Sequence, residues 1–113
     1  MKRIAICIDD YGLHPAVDDA VLSLIEQGRV TATSCMVGAP AWAQDVPRLK
    51  PLSDAGRVDA GLHVDFTEYP IDASVRRPVN AWMLGTVLHR VDADAIRQEI
   101  RLQLDRFEQT MGR

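Results

Sequence analysis

The 113-residue chain lacks both an excess of basic residues and any long apolar run. Its formal net charge is −3 at pH 7, which gives no electrostatic footprint for nucleic acid. No apolar run approaches the roughly 20 residues needed to cross a bilayer. The apolar stretch near the N-terminus stops at Asp9 and Asp10, which makes it too short for a signal peptide. The sequence therefore predicts a cytoplasmic protein with no nucleic-acid and no membrane partner.

Cysteine and aromatic residues are scarce, with two cysteines and 5% aromatic side chains. Cys7 and Cys35 lie in apolar runs, so both are predicted to be buried free thiols, as is usual in a reducing compartment. Trp42 and Trp82 are predicted to be packing residues, with stacking on a sugar ring as the alternative. Nucleotide-binding glycine motifs and zinc-type cysteine pairs are absent. Ser34 has no histidine at nucleophile-elbow spacing and no G-x-S-x-G motif around it.

The apolar pattern alternates between short β-branched runs and stretches with helical periodicity. It predicts strands, helices and one long loop, namely strands at 4–8, 30–37 and 57–64, helices at 15–28, 41–55, 81–90 and 92–112, and a loop at 66–80. Pro47 and Pro51 are expected to interrupt the second helix. The last helix carries a predicted apolar stripe, made of Ile96, Ile100, Leu104, Phe107 and Met111.

This order of elements predicts an α/β fold with a parallel sheet and right-handed crossovers, in a single domain of residues 1–113. Three strands form only a small parallel sheet, whose faces and edges need cover. The chain also stops after a helix, where the alternation would next place a strand. The sequence therefore favours an incomplete (β/α) barrel of about three strands and their helices, and completion by a partner copy is the alternative.

Acidic and imidazole side chains stand at the ends of two predicted strands. Asp9 and Asp10 directly follow the first strand, and His63 lies at the end of the third. The C-terminal ends of parallel strands share one edge of the sheet, where α/β folds bind their ligands. Adjacent carboxylates are costly unless a cation lies near them, and a carboxylate with an imidazole suits a divalent metal. One aspartate would then ligate the metal and the other would act as a general base.

A purely structural role is the alternative for each of these residues. One aspartate could cap the following turn while the other is solvated. His63 could be a hydrogen-bonded residue at the margin of the core, and Asp65 could orient His63. His14 and His89 are expected at the surface rather than at a metal.

Four segments together resemble the family of YdjC-like carbohydrate deacetylases. Residues 8–13 (IDDYGL) resemble its ADDFG segment, and residues 28–37 (GRVTATSCMV) resemble its G-x-V-T-S-T-S-L-M-V strand. Residues 61–67 (GLHVDFT) resemble its G-L-H-L-N-L-T segment, and residues 96–107 are similar to its E-L-x-x-Q-I-x-x-F helix. The resemblance is to the N-terminal part of the family's domain and extends, in order, over essentially the whole chain.

The resemblance implies a (β/α)-barrel-like fold related to polysaccharide deacetylases, and removal of acetyl groups from N-acetylated sugars such as chitooligosaccharides. It also implies a divalent metal, for which Mg²⁺ is expected and Zn²⁺ is the alternative. Matched by position, Asp10 and His63 would be metal ligands and Asp9 the general base. The family's third ligand comes from an H-x-H segment that residues 1–113 lack, so one copy of the chain is not expected to form a complete site.

Two other functions are open on the sequence. The first is a non-catalytic module of the same fold that forms homo-oligomers, which the missing third ligand motivates. The second is a receiver-like, Mg²⁺-binding signalling domain, because such domains also carry an acidic pair after the first strand. It is disfavoured because residues 92–113 leave no room for further strands and the only lysines are Lys2 and Lys50.

Overall fold

A computed structural model describes residues 4–112 of the chain. Its elements alternate along the chain: β1 (Cys7–Tyr11), α1 (Pro15–Glu26), β2 (Ala32–Cys35), α2 (Trp42–Asp54), β3 (Asp59–Leu62), α3 (Val79–Val87) and α4 (Ala93–Met111). A 3₁₀ turn, Ala73–Val75, lies in the long connection between β3 and α3. The three strands form a parallel sheet in the order β1-β2-β3, which confirms the predicted α/β class.

Strand β1 lies further along the chain than the sequence predicts, at Cys7–Tyr11 instead of residues 4–8. The leading isoleucines do not enter the core, since Ile4 and Ile6 are exposed. The strand instead continues to Tyr11, which is fully buried and donates its hydroxyl proton to the backbone oxygen of Asp45 (2.8 Å). Burial of this aromatic ring, rather than of the first apolar residues, therefore decides where the strand lies.

The sheet has a covered face and an open face. Thr33 and Cys35 of β2 are buried, and Ser34 between them lies on the opposite face because side chains alternate along a strand. Cys35 is the buried free thiol that the sequence predicts, and burial raises the pKa of this thiol to about 12, which makes it unreactive. Cys7 was predicted to be buried, but it is exposed, since Ile8 and not Cys7 packs against the core.

Helices α1, α2 and α4 enclose the core on the covered face of the sheet. Trp42 at the start of α2 is buried between two other rings, edge-on to Tyr11 and stacked with Phe107, with centroids 6.4 Å apart in both pairs. Trp42 is thus a packing residue, as predicted. The same helix runs without a break through Pro47 and Pro51, contrary to the prediction, because its packing in the core outweighs the loss of two backbone donors.

Helix α4 buries a different face from the predicted one. Only the C-terminal end of the predicted apolar stripe is buried, whereas Ile100 and Leu104 are 37% and 41% exposed. Glu99 and Gln103 are buried instead. These two polar side chains face inward because they bind the backbone segment that follows β3.

Candidate active site

The strand ends bring all three predicted site residues together. The Nδ1 atom of His63, directly after β3, lies 3.1 Å from Oδ1 of Asp10 in β1. The Ser34 hydroxyl of β2 donates to Oδ1 of Asp9 (2.7 Å) and lies 3.1 Å from Nδ1 of His63. Asp9, Asp10, Ser34 and His63 therefore form one connected polar cluster at the carboxyl edge of the sheet.

A β-bulge places both aspartates in this cluster. In a regular strand Asp9 and Asp10 would point to opposite faces, and one of them would be directed into the core. The pairing of β1 with β2 is irregular between Ile8 and Tyr11, and Asp10 has a positive φ of 71°. Bulges re-aim side chains next to functional sites, and aspartate tolerates this left-handed conformation better than most residues. The strained backbone thus lets Asp10 reach His63 while Tyr11 still enters the core.

Ser34, His63 and Asp10 do not form a serine-hydrolase triad. In such a triad the serine and the aspartate bind different nitrogens of the imidazole. Here both Ser34 and Asp10 approach Nδ1, so the imidazole cannot pass a proton between them. Because its hydroxyl donates to Asp9, Ser34 is instead suited to orient the Asp9 carboxylate. This role of Ser34 was not predicted from the sequence, although Ser34 lies on the open face of β2, which pairs with the strand of Asp9.

The donor set fits a divalent cation. Asp10 and His63 offer a carboxylate oxygen and an imidazole nitrogen, a combination found with Mg²⁺, Zn²⁺ and related ions. Their 3.1 Å separation suits two donors that each lie about 2.0–2.2 Å from one ion. Both side chains are partly exposed, so an ion could reach them from solvent. Within residues 4–112, no group of three or more histidine, cysteine, aspartate or glutamate side chains is arranged to hold a metal.

Asp65 has a different role from the predicted orientation of His63. Its carboxylate accepts hydrogen bonds from the backbone N–H groups of Tyr69 (2.6 Å), Thr67 (2.8 Å) and Glu68 (3.1 Å). Burial by itself would raise the pKa of this carboxyl, but the three donors hold it below its ordinary value. Asp65 therefore closes the loop that follows His63 and acts on the site through the backbone.

Two side chains of helix α4 also bind the backbone of the segment that follows β3. Gln103 accepts a hydrogen bond from the backbone N–H of Asp65 (3.0 Å) and donates to its carbonyl oxygen (2.6 Å). Glu99 accepts from the N–H groups of Ile71 (2.6 Å) and Asp72 (2.8 Å). A polar pair four residues apart within an apolar stripe is the sequence signal that could have revealed this contact.

A buried carboxyl pair lies behind the turn that follows Asp10. Oδ1 of Asp18 in α1 accepts from the backbone N–H of Gly12 (2.7 Å), and Oδ1 of Asp45 in α2 accepts from Arg48 (3.1 Å). The second oxygen of each carboxyl is buried and has no hydrogen-bond donor among residues 4–112. The neighbouring Asp45 carboxyl adds to the rise that burial causes in the pKa of Asp18, so a proton on Asp18 reduces the cost of burying the two groups together.

Replacing Asp18 with Asn is expected to stabilise the protein at neutral pH. Burial raises the pKa of Asp18 to about 6, with Asp45 adding to the shift, against an ordinary value of 3.8. Protonated Asp18 therefore contributes stability below about pH 4, and this contribution is lost as the pH rises through about 6. Asn keeps the oxygen that binds Gly12 and supplies a permanent N–H donor towards Asp45.

The measurement is the free energy of unfolding in urea at several pH values between 4 and 7. The gain of Asp18→Asn over wild type is expected to grow from near zero at pH 4 to about 2 kcal/mol at pH 7. Asp19→Asn is the control, because Asp19 is exposed and pairs with Arg48 at the surface; it should change stability by less than about 1 kcal/mol. A pH-independent difference for Asp18→Asn would contradict the raised pKa of Asp18.

Comparison with known proteins places these motifs in a family. The model of the family described as YdjC-like protein matches residues 3–113. The chain is 25% identical to a carbohydrate deacetylase of Homo sapiens and 26% identical to a carbohydrate deacetylase of Mus musculus, and both alignments cover 98% of this chain. They cover 37% and 39% of those two proteins, so the chain spans less than half the length of the curated relatives it matches.

A solved structure from Enterococcus faecalis V583, described as a candidate cellobiose-phosphate cleavage protein, has a similar fold. The TM-score is 0.74 at 20% identity, and the match covers 96% of this chain and 44% of that one. This likeness confirms the predicted fold class, an α/β arrangement with a parallel, barrel-like sheet. None of the helices within residues 4–112 combines the length and apolarity that a membrane crossing requires.

Proposed function

Because the chain belongs to the YdjC-like family, we propose that the protein is a metal-dependent hydrolase that removes acetyl groups from N-acetylated sugars or oligosaccharides. The observation that carries the proposal is the cluster of Asp9, Asp10 and His63 at the carboxyl ends of parallel strands. Two relatives that share the matched region are carbohydrate deacetylases, which supports the substrate class.

In this proposal Asp10 and His63 hold the cation, with Mg²⁺ as the proposed ion and Zn²⁺ as the alternative. When bound, a divalent ion polarises a carbonyl group and makes water a better nucleophile at neutral pH. Donors from outside residues 4–112, from substrate or from water would fill the other coordination positions. The partly exposed side chains leave the acetamide of a sugar free to approach from the open face of the sheet.

Asp9 accepts a proton in the proposed reaction. Its carboxylate is exposed and precedes Asp10 directly in the chain. The Ser34 hydroxyl, which also contacts His63, holds it at Oδ1. It can therefore take a proton from the water that adds to the acetamide carbon. Collapse of the adduct then breaks the C–N bond while the proton held by Asp9 passes to the departing nitrogen, which gives acetate and the free amine of the sugar.

Replacing Asp9 with Asn is expected to lower turnover about a hundredfold, because a general base contributes about 10²–10⁴-fold. Metal affinity should change little, since Asp9 is not a proposed ligand. The measurement is acetate release from an N-acetylated sugar by protein stripped with EDTA and then supplied with Mg²⁺ or Zn²⁺. Full activity in the stripped protein would refute the metal dependence, and full activity in Asp9→Asn would refute the assigned base.

A second candidate is a non-catalytic module that forms homo-oligomers. It is favoured by large apolar side chains that are exposed on one helix and at its end, namely Val79, Met83, Leu84, Val87 and Leu88. This candidate predicts oligomers in native mass spectrometry and no acetate release with any divalent ion. A monomer that releases acetate would exclude it.

A further inference from the structure

An apolar cleft lies beside His63, between the segment that follows β3 and helix α3. Its volume is about 550 Å³, within the range of about 300–1,000 Å³ that is usual for small-molecule sites. Because α3 lies in the connection after β3, the cleft is at the edge of the sheet where α/β folds bind substrates. Its walls are mainly apolar and are formed by Val64, Phe66, Val79, Trp82, Met83 and Val87.

Trp82 is held in the wall of this cleft by Phe66. Its indole Nε1–H donates to the backbone oxygen of Phe66 (3.3 Å), and the two rings lie 5.5 Å apart at an angle of 55°. Trp82 is only half-buried, whereas Trp42 is buried in the core. Trp42 is therefore not available for stacking on a sugar ring. Trp82 is available, because its ring is fixed in place and accessible.

We propose that this cleft binds the pyranose ring that is linked to the N-acetylated sugar, with Trp82 as the stacking surface. The proposal rests on the deacetylase function proposed above and assigns this cleft and Trp82 to the recognition of the second ring of an oligosaccharide. The acetylated ring must lie over Asp10 and His63 for its acetamide to reach them. The cleft that begins at His63 and extends along α3 is therefore left for the neighbouring ring.

The chemistry of the cleft matches a sugar ring. A pyranose has apolar C–H faces, which pack well on aromatic surfaces, and hydroxyl groups around its edge. Trp82 and Phe66 provide the aromatic surface, and the side chains of Thr67 and Thr86 also line the cleft and offer hydroxyl partners. An acetyl methyl group alone would leave most of the 550 Å³ unfilled.

The test compares the binding of N-acetylglucosamine with that of its β-1,4-linked dimer to metal-free protein, in which hydrolysis is prevented. Tryptophan fluorescence is the readout, because the buried Trp42 serves as a constant background to Trp82. The dimer is expected to bind about tenfold more tightly than the monomer, a factor equal to about 1.4 kcal/mol. Trp82→Ala should remove this preference in a calorimetric titration, and Trp82→Phe should retain part of it.

Leu84→Ala is the matched control, because Leu84 is an exposed apolar residue of the same helix that does not line this cleft. It should keep the tenfold preference. Equal binding of monomer and dimer, with no effect of Trp82→Ala, would overturn the proposal. So would a Trp82 fluorescence that responds to protein concentration and not to sugar, since a second copy of the chain would then cover the cleft.

The same experiment separates this proposal from the proposed function. Acetate release without a preference for the dimer would leave the deacetylase function standing and refute the cleft as a sugar subsite. A preference for the dimer that depends on Trp82, without acetate release in the presence of Mg²⁺ or Zn²⁺, would establish the subsite and refute the deacetylase function.

Discussion

Replacing His63 with Ala is expected to reduce acetate release from an N-acetylated sugar about a thousandfold or more. Loss of an outer partner of a metal ligand typically costs 10–100-fold in metal affinity or activity, and loss of a ligand itself should exceed this. His63 is one of only two ligands that we propose within residues 4–112, so its removal should also weaken cation binding. The measurement is kcat/KM for acetate release at increasing concentrations of Mg²⁺ or Zn²⁺.

Ser34→Ala is the control for His63→Ala. Like Asp10, Ser34 contacts the Nδ1 atom of His63, and its hydroxyl also binds Asp9. Ser34 is not a proposed ligand or base. Its replacement should cost less than about tenfold in kcat/KM, in line with the loss of one orienting hydrogen bond. If Ser34→Ala were as damaging as His63→Ala, the cluster would work through a serine nucleophile, and the metal-based account would be wrong.

Replacing Glu99 with Ala is expected to lower the free energy of unfolding by about 3 kcal/mol. Glu99 is fully buried, and its carboxylate binds the backbone N–H groups of Ile71 and Asp72 and the Gln103 amide. Truncation leaves these donors without an acceptor in the interior, where each unpaired donor costs about 1–3 kcal/mol. Urea unfolding followed by circular dichroism measures the loss.

Two variants sharpen this test. Glu108 is exposed on the same helix, so Glu108→Ala should change the free energy of unfolding by less than about 0.5 kcal/mol. Glu99→Gln should also destabilise, because the Gln amide can offer only one oxygen and would direct its NH₂ group at a backbone donor. A Glu99→Gln protein as stable as wild type would show that the carboxylate does not hold the loop.

Much of the candidate site follows from the order of elements alone. Parallel strands end at one edge of a sheet, so Asp9, Asp10 and His63 had to come close together once the alternation of strands and helices was recognised. Their separation could not be derived in this way. Their separation depends on the bulge at Asp10. The bulge forms because Tyr11 enters the core while both aspartates stay outside it, and the spacing of residues in the sequence does not predict this.

The contact between α4 and the loop that follows His63 was not predictable from apolar periodicity. The rule that apolar residues face inward assigned Ile100 and Leu104 to the core, yet Glu99 and Gln103 are buried. The backbone that follows His63 has unpaired donors and acceptors that must be satisfied once it is covered by α4. Glu99 and Gln103 face inward because they form hydrogen bonds with these backbone groups. The sequence does not show which loop the helix will cover, so these contacts could not be predicted from it.

The most direct test of the central claim, that Asp10 and His63 hold a divalent cation, is native mass spectrometry of the purified protein with added Mg²⁺ or Zn²⁺. The account predicts one bound ion per chain in the wild type and loss of this ion in the Asp10→Asn, His63→Ala double variant, with the fold retained by circular dichroism. A wild-type protein that binds no ion, or a double variant that binds it as well as wild type, would contradict the account.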